Sequence, residues 1–198
     1  MKSLSVVLAG LLVAASAPST AGPQERLGST NACVECDLSG ANLSGDNLLG
    51  SDLRGVNLDG ADLRKTTLTA SNLRGASLVG ADLRGAILGG VNFVECDLRN
   101  ARLDGAFLTR SDLTRASAQD SSMLGVRLDS AVLEGADLSG ADMREADLYD
   151  ARLFFAVLRG VRLEGADLSF ADLVEVDTEG VRTDETTTCA DSEPGPCW

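Results

Sequence analysis

The chain contains no histidine, so it lacks the commonest general base and the commonest imidazole ligand of a transition metal. What remains able to do chemistry is a set of 30 carboxylates, 17 basic side chains and five cysteines. Paired carboxylates can act as acid and base or hold a cation, and cysteines can attack, ligate metal or cross-link. The carboxylates are not arranged as isolated pairs, however. An Asp or Asn stands immediately before one leucine after another, as in Asp52, Asp62, Asp82 and Asp97, a recurrence that marks a solvated face rather than a catalytic dyad. The calcium-binding nonapeptide G-G-x-G-x-D is absent. No catalytic residue, metal or cofactor is expected. The formal charge of −13 disfavours phosphate contacts, so no nucleic-acid partner is expected either.

What positions these side chains is a repeat of five residues. Leucine recurs at its centre from Leu38 to Leu173 in 28 consecutive units, replaced only by Phe93, Ala118, Met123 and Met143. A small residue such as Ala41, Ala61 or Ala81 stands two positions earlier, and glycine often closes the unit. On an α-helix, five steps of about 100° would scatter the leucines around the axis. On a straight strand an odd period would send successive leucines to opposite faces. A chain that turns a corner every five residues puts the small residue and the leucine inside each time, which makes a solenoid. Glycine suits the corner because it accepts backbone angles that are costly for other residues.

The units A-D-L-R-G, A-N-L-S-G and A-D-L-S-G resemble those of the pentapeptide-repeat family over residues 36–175. The resemblance implies an all-β fold, a right-handed quadrilateral parallel β-helix in which four units make a coil. Seven coils at a strand spacing of about 4.8 Å would form a rod about 34 Å long. In such a stack Asp147 would lie above Arg127 and below Asp167, as two solvated carboxylates rather than a cation site. Arg54 with Arg74, and Arg64 with Arg84, would share rows with Asp or Asn, so local ion pairing is expected there. Some members of the family resemble duplex DNA closely enough to bind topoisomerases. The alternative function is therefore a DNA-mimic inhibitor of a type II topoisomerase, which would require a cytosolic protein.

Outside the repeat, residues 1–21 read as a signal peptide. Lys2 is followed by an apolar run from Leu4 to Ala15, and Ser19, Thr20 and Ala21 form a small-residue cleavage site before Gly22. The run is shorter than the ~20 residues that span a bilayer, so no membrane insertion is expected after cleavage. An extracytoplasmic protein, periplasmic or secreted, follows. Export places the cysteines where disulfides persist. Cys33 falls on the leucine phase and Cys36 on the small-residue phase of the next unit, so both should point inward, and Cys189 and Cys197 flank a short tail. Each pair is expected to staple one end, with Cys96 left as a buried free thiol. Residues 22–35 are expected to be an N-terminal cap or partial coil, and residues 176–198 a C-terminal cap or tail after the repeat dissolves at Glu175.

Three irregularities remain. Ala118 and Met123 replace leucines in succession, which predicts a thinly packed coil. Asp46 occupies a small-residue position that should face inward; partial solvation near the end of the stack is expected, with pairing to Arg26 as the alternative. Tyr149, Phe154, Phe155 and Phe170 fall on outward positions in the last two coils, with Val174 beside them. The tail is expected to fold back over them; if it does not, they are the candidate surface for an unknown protein partner. The function expected is that of a non-enzymatic rigid scaffold or protein-binding surface.

Overall fold

Five backbone N–H groups per unit must find acceptors, and the way they do so defines the architecture. The computed structural model describes residues 23–195 and residue 197; the leader and its cleavage site lie outside the described residues. At the unit centred on Leu58, the Leu58 N–H donates to the Ser77 carbonyl at 2.7 Å and the Gly60 N–H to Val79 at 2.9 Å. The Asp62 N–H donates one coil back to Ala41 at 2.9 Å, and the Ala61 N–H closes the corner onto Leu58 at 3.0 Å. The fifth donor is met by a side chain. The Asn57 carboxamide oxygen accepts the Asp59 N–H at 3.0 Å, as the Asp37 carboxylate accepts that of Ser39 at 3.0 Å. Where Asp or Asn stands before the leucine, it thus supplies an acceptor that the corner would otherwise lack.

Parallel bridges join Asn57 to Ser77, Asp62 to Asp82, Thr67 to Ile87 and Asn72 to Asn92, so each residue pairs with the one twenty positions on. Four units therefore make one coil. Side 1 carries Leu58 and its equivalents, side 2 Leu63, side 3 Leu68 and side 4 Leu73. Each side contributes one bridged residue per coil rather than an extended strand. Leu58, Leu98 and Leu138 are fully buried, as are Phe93 and central alanines two positions before the leucines such as Ala61, Ala81 and Ala101. Two polar residues at the small position share one bond: Thr66 and Ser71 each donate to the leucine carbonyl 23 residues earlier, both at 2.7 Å.

The two ends are closed differently. The N-terminal cap is α1, Pro23–Thr30, whose Leu27 is buried against the first coil. Coiling begins before Cys36, because Ala32 already bridges Asp52. At the other end the repeat does not dissolve at Glu175. Asp177 bridges Val157 and Arg182 bridges Arg162, since the ladder needs only backbone and Val176, Thr178 and Val181 serve inward without leucine. A single extra residue then enters, so that Thr188 rather than residue 187 pairs with Asp167. The chain reverses there, with Pro194 antiparallel to Thr188, and Cys197 packs onto the end of the core. Asp46 is exposed, beside a hollow formed with Leu27, Asn42 and Leu48; the Arg26 side chain lies outside those described.

The coil containing Ala118 and Met123 keeps its ladder, with Ala118 N–H to Asp137 at 2.7 Å and Met123 N–H to Asp142 at 2.8 Å, and both side chains are buried. Any deficit there is one of side-chain volume. Ala118→Leu should raise stability by about 1–2 kcal/mol, measured by chemical denaturation. Amide exchange in residues 118–123 should be the fastest of the central coils and should slow in the variant. A destabilised variant would show that neighbouring side chains already fill the space.

Candidate protein-docking surface

The outward positions divide the rod by chemistry. On sides 1, 2 and 4, arginines turn back onto the Asp of their own unit. Arg54 reaches Asp52 through Nε and Nη2, both at 2.7 Å, and Arg64, Arg84, Arg99 and Arg144 repeat the arrangement. Arg74 pairs instead with Glu95 at 2.9 Å, one coil on. The Arg64 guanidinium holds the Asp62 carboxyl down at about 2, chiefly by its side-chain hydrogen bonds, against desolvation and with smaller help from the Arg64 N–H and from charge. Large exposed apolar side chains gather elsewhere: Ile87 and Phe107 on side 3, Leu49, Tyr149 and Phe170 at the corner after it, Phe155 and Val174 at the corner after side 4.

The four aromatics predicted from sequence form two pairs. Tyr149 and Phe170 meet edge to face across one coil, ring centroids 5.4 Å apart at 71°. Phe154 and Phe155 lie together on the next corner at 4.0 Å. Between the corners side 4 presents Arg152 bridged through its backbone to Asp172. Among the described residues the tail does not act as a lid over these rings. Tyr149 is 47%, Phe155 48%, Phe170 63% and Val174 53% exposed, with Phe154 half-buried. The described tail residues are committed elsewhere: Ala190 accepts the Phe170 N–H and Cys189 pairs with Glu193, so the tail closes the end of the core, not its flank.

Two of the rings also stand where side chains are disfavoured. Phe155 and Phe170 occupy the last position of their units at φ of 60° and 61°, a corner that Gly60, Gly75 and Gly160 fill with glycine and that Lys65, Glu95 and Arg110 fill at φ of 57°, 60° and 58°. A bulky residue in this left-handed region costs about 1–2 kcal/mol relative to the right-handed one. Sequence reading found the aromatics from their outward phase, but the strain follows only from the corner geometry.

The remaining candidates are structural. The Cys33 and Cys36 sulfurs, and those of Cys189 and Cys197, lie at disulfide-bonding distance, with Cα atoms 5.3 Å apart in each pair. Cys96 is free and buried, its thiol donating to the Leu73 carbonyl at 2.8 Å, and burial pushes its pKa up to about 12. Asp147 bridges Asp167 through the backbone, and Arg127 approaches Asp147 at 4.0 Å. Among the described residues no cluster of acidic or cysteine side chains could hold a metal ion, and no helix is long and apolar enough to cross a membrane.

The family model for pentapeptide repeats matches residues 36–75, 76–115, 92–123, 111–150 and 146–177. This chain belongs to the pentapeptide-repeat family. Among solved structures it is similar to HetL, a pentapeptide-repeat protein involved in heterocyst differentiation regulation in the cyanobacterium Nostoc, at 27% identity and a TM-score of 0.56, over 83% of this chain and 85% of that one. It is also similar to full-length QnrB1, a plasmid-mediated fluoroquinolone resistance protein, at 23% identity and a TM-score of 0.53, over 77% and 82% of the two chains. No curated protein sequence matches it. The fold of these pentapeptide-repeat proteins is the right-handed quadrilateral β-helix.

Two measurements check this account of the pentapeptide-repeat surface. Because the folded Asp62 carboxyl lies below its ordinary 3.8, its contribution to stability is complete above that value and is lost as pH falls through about 2. Arg64→Gln should return Asp62 toward 3.8 in a carboxyl titration by NMR and move acid unfolding to higher pH. Titration of the unreduced protein with a thiol reagent should find no reactive thiol when folded and one after denaturation; three or five would remove the terminal staples.

Proposed function

We propose that this pentapeptide-repeat protein is an exported, non-enzymatic scaffold that presents a protein-docking surface formed by Tyr149, Phe154, Phe155 and Phe170. The observation that carries the reading is the gathering of four aromatic rings on adjacent corners, with Tyr149, Phe155 and Phe170 exposed and Phe154 half-buried. Aromatic side chains bury large areas at little conformational cost and dominate interface energetics. The leader sequence supports export. A binding role is favoured over a catalytic one because leucines and small residues fill the interior and many outward carboxylates are engaged by their own unit's arginine or backbone.

The DNA-mimic alternative draws less support. Mimicry of a duplex calls for long rows of unneutralised negative charge, whereas Asp52, Asp62, Asp82, Asp97 and Asp142 each lie within 2.7 Å of an arginine. The likeness to QnrB1 is one of fold.

The test is capture from the exported fraction with wild-type protein and with Phe154→Ser/Phe155→Ser as bait. A specific partner should be held by wild type and lost from the double variant, while N-terminal sequencing of the processed bait reads from Gly22. A partner retained by the variant would move the docking site to the charged sides. Unprocessed protein confined to the cytosol would remove the export reading.

A further inference from the structure

The aromatic corners are bordered by acids that no arginine among the described residues neutralises. On sides 1 and 2, some acids are matched by arginines at short range, as in the Asp82, Asp97 and Asp142 pairs, while Asp59, Asp104, Asp120 and Glu145 are not. Around the rings the acids are not so matched. Asp129 and Asp150 flank Tyr149, Asp172 lies between the two corners, and Glu134 and Glu175 border Phe154 and Phe155. Among the described residues, none of these five forms an ion pair with a basic group. Asp129 and Asp150 accept hydroxyl bonds from Thr109 and Ser130, and Asp172 caps the Val174 N–H, so their charge remains. Arg152, between the two pairs, is the exception within the patch.

We propose that the occupant of this surface is a cationic amphipathic segment of another protein, with apolar side chains seated on the two aromatic pairs and Lys or Arg reaching the acidic rim. This rests on the docking reading above and specifies its chemistry. Apolar contact supplies most of the binding and the unneutralised rim supplies specificity and orientation. A second copy of this chain is disfavoured, because a two-fold contact would set the same acidic rim against itself on chains of formal charge −13. Arg152 would receive a backbone carbonyl or carboxylate of the segment.

Three synthetic peptides of equal length test the idea on the full chain by fluorescence anisotropy: alternating blocks of Lys and Leu, the same pattern with Glu for Lys, and the same pattern with Ser for Leu. The Lys/Leu peptide should bind at least tenfold more tightly than either of the others and weaken severalfold as salt is raised. Phe155→Gly/Phe170→Gly should weaken it at least tenfold without lowering the melting temperature, because glycine is the residue that suits both backbone positions. Equal affinity of wild type and variant would show attraction to net charge alone and overturn the proposal. Equal binding of the Glu/Leu peptide would overturn the cationic assignment while leaving the docking surface itself standing. Tighter binding to neutral phosphatidylcholine vesicles than to the Lys/Leu peptide would reassign the surface to lipid. Absence of binding by either Leu peptide would also overturn the proposal, and the bait experiment with Phe154→Ser/Phe155→Ser separately decides the docking reading.

Discussion

Everything in this molecule depends on repeating one backbone hydrogen-bond pattern every twenty residues. A chain that turns every five residues exposes polar backbone groups at every corner, and burying them unpaired would cost about 1–3 kcal/mol each. The coil avoids this by sending three N–H groups of a unit to neighbouring coils, one across the corner and one to an Asp or Asn oxygen. The leucines then need only fill the tube that the ladder encloses. This order of dependence explains why the repeat survives Ala118 and Met123 and continues past Glu175, where leucine is lost but the backbone pairing is not.

The same pattern frees the outward surface. Side chains at three positions of each unit contribute little to closing the core, so their identities can vary from side to side without disturbing the coil. The protein uses this freedom unevenly. Sides 1 and 2 carry Asp and Arg locked together within a unit, an arrangement that neutralises charge at short range. Sides 3 and 4 collect Ile87, Phe107 and the aromatic corners, interspersed with charged residues such as Arg127, Asp129, Arg152 and Asp172. Arg127 lies over the Phe107 ring, 5.8 Å from its centroid.

Both ends show how a solenoid is stopped. An open coil would leave leucines such as Leu38 and Leu43 in water and backbone groups without partners. At the N-terminal end α1 lays Leu27 against them. At the C-terminal end one extra residue breaks the twenty-residue register, which turns the chain back as an antiparallel hairpin and brings Cys197 beside Cys189. The tail is consumed in this task, which is why it leaves the aromatic corners open.

The sequence by itself determined the period, the inward and outward assignment of most residues from Cys36 to Glu175, with Asp46 exposed at an inward phase and Ser169 buried at an outward one, the inward placement of Cys96 and the outward aromatics, because an unbroken five-residue phase permits only one way of burying 24 leucines. It also placed Cys33 near Cys36 and Cys189 near Cys197. It read the recurrent Asp as a solvated marker and missed its role as a corner cap, since that bond depends on local backbone geometry and not on polarity. Tertiary structure alone decided where the coil ends, because the ladder tolerates Thr178 and Val181 where composition suggests a break. It alone decided that the aromatics form two pairs with two rings at positive φ, because the corner that joins neighbouring sides sets both the ring contacts and the backbone angle. The fate of the tail was likewise a tertiary matter: its path is set by which unsatisfied edge lies nearest, and that edge is the end of the core.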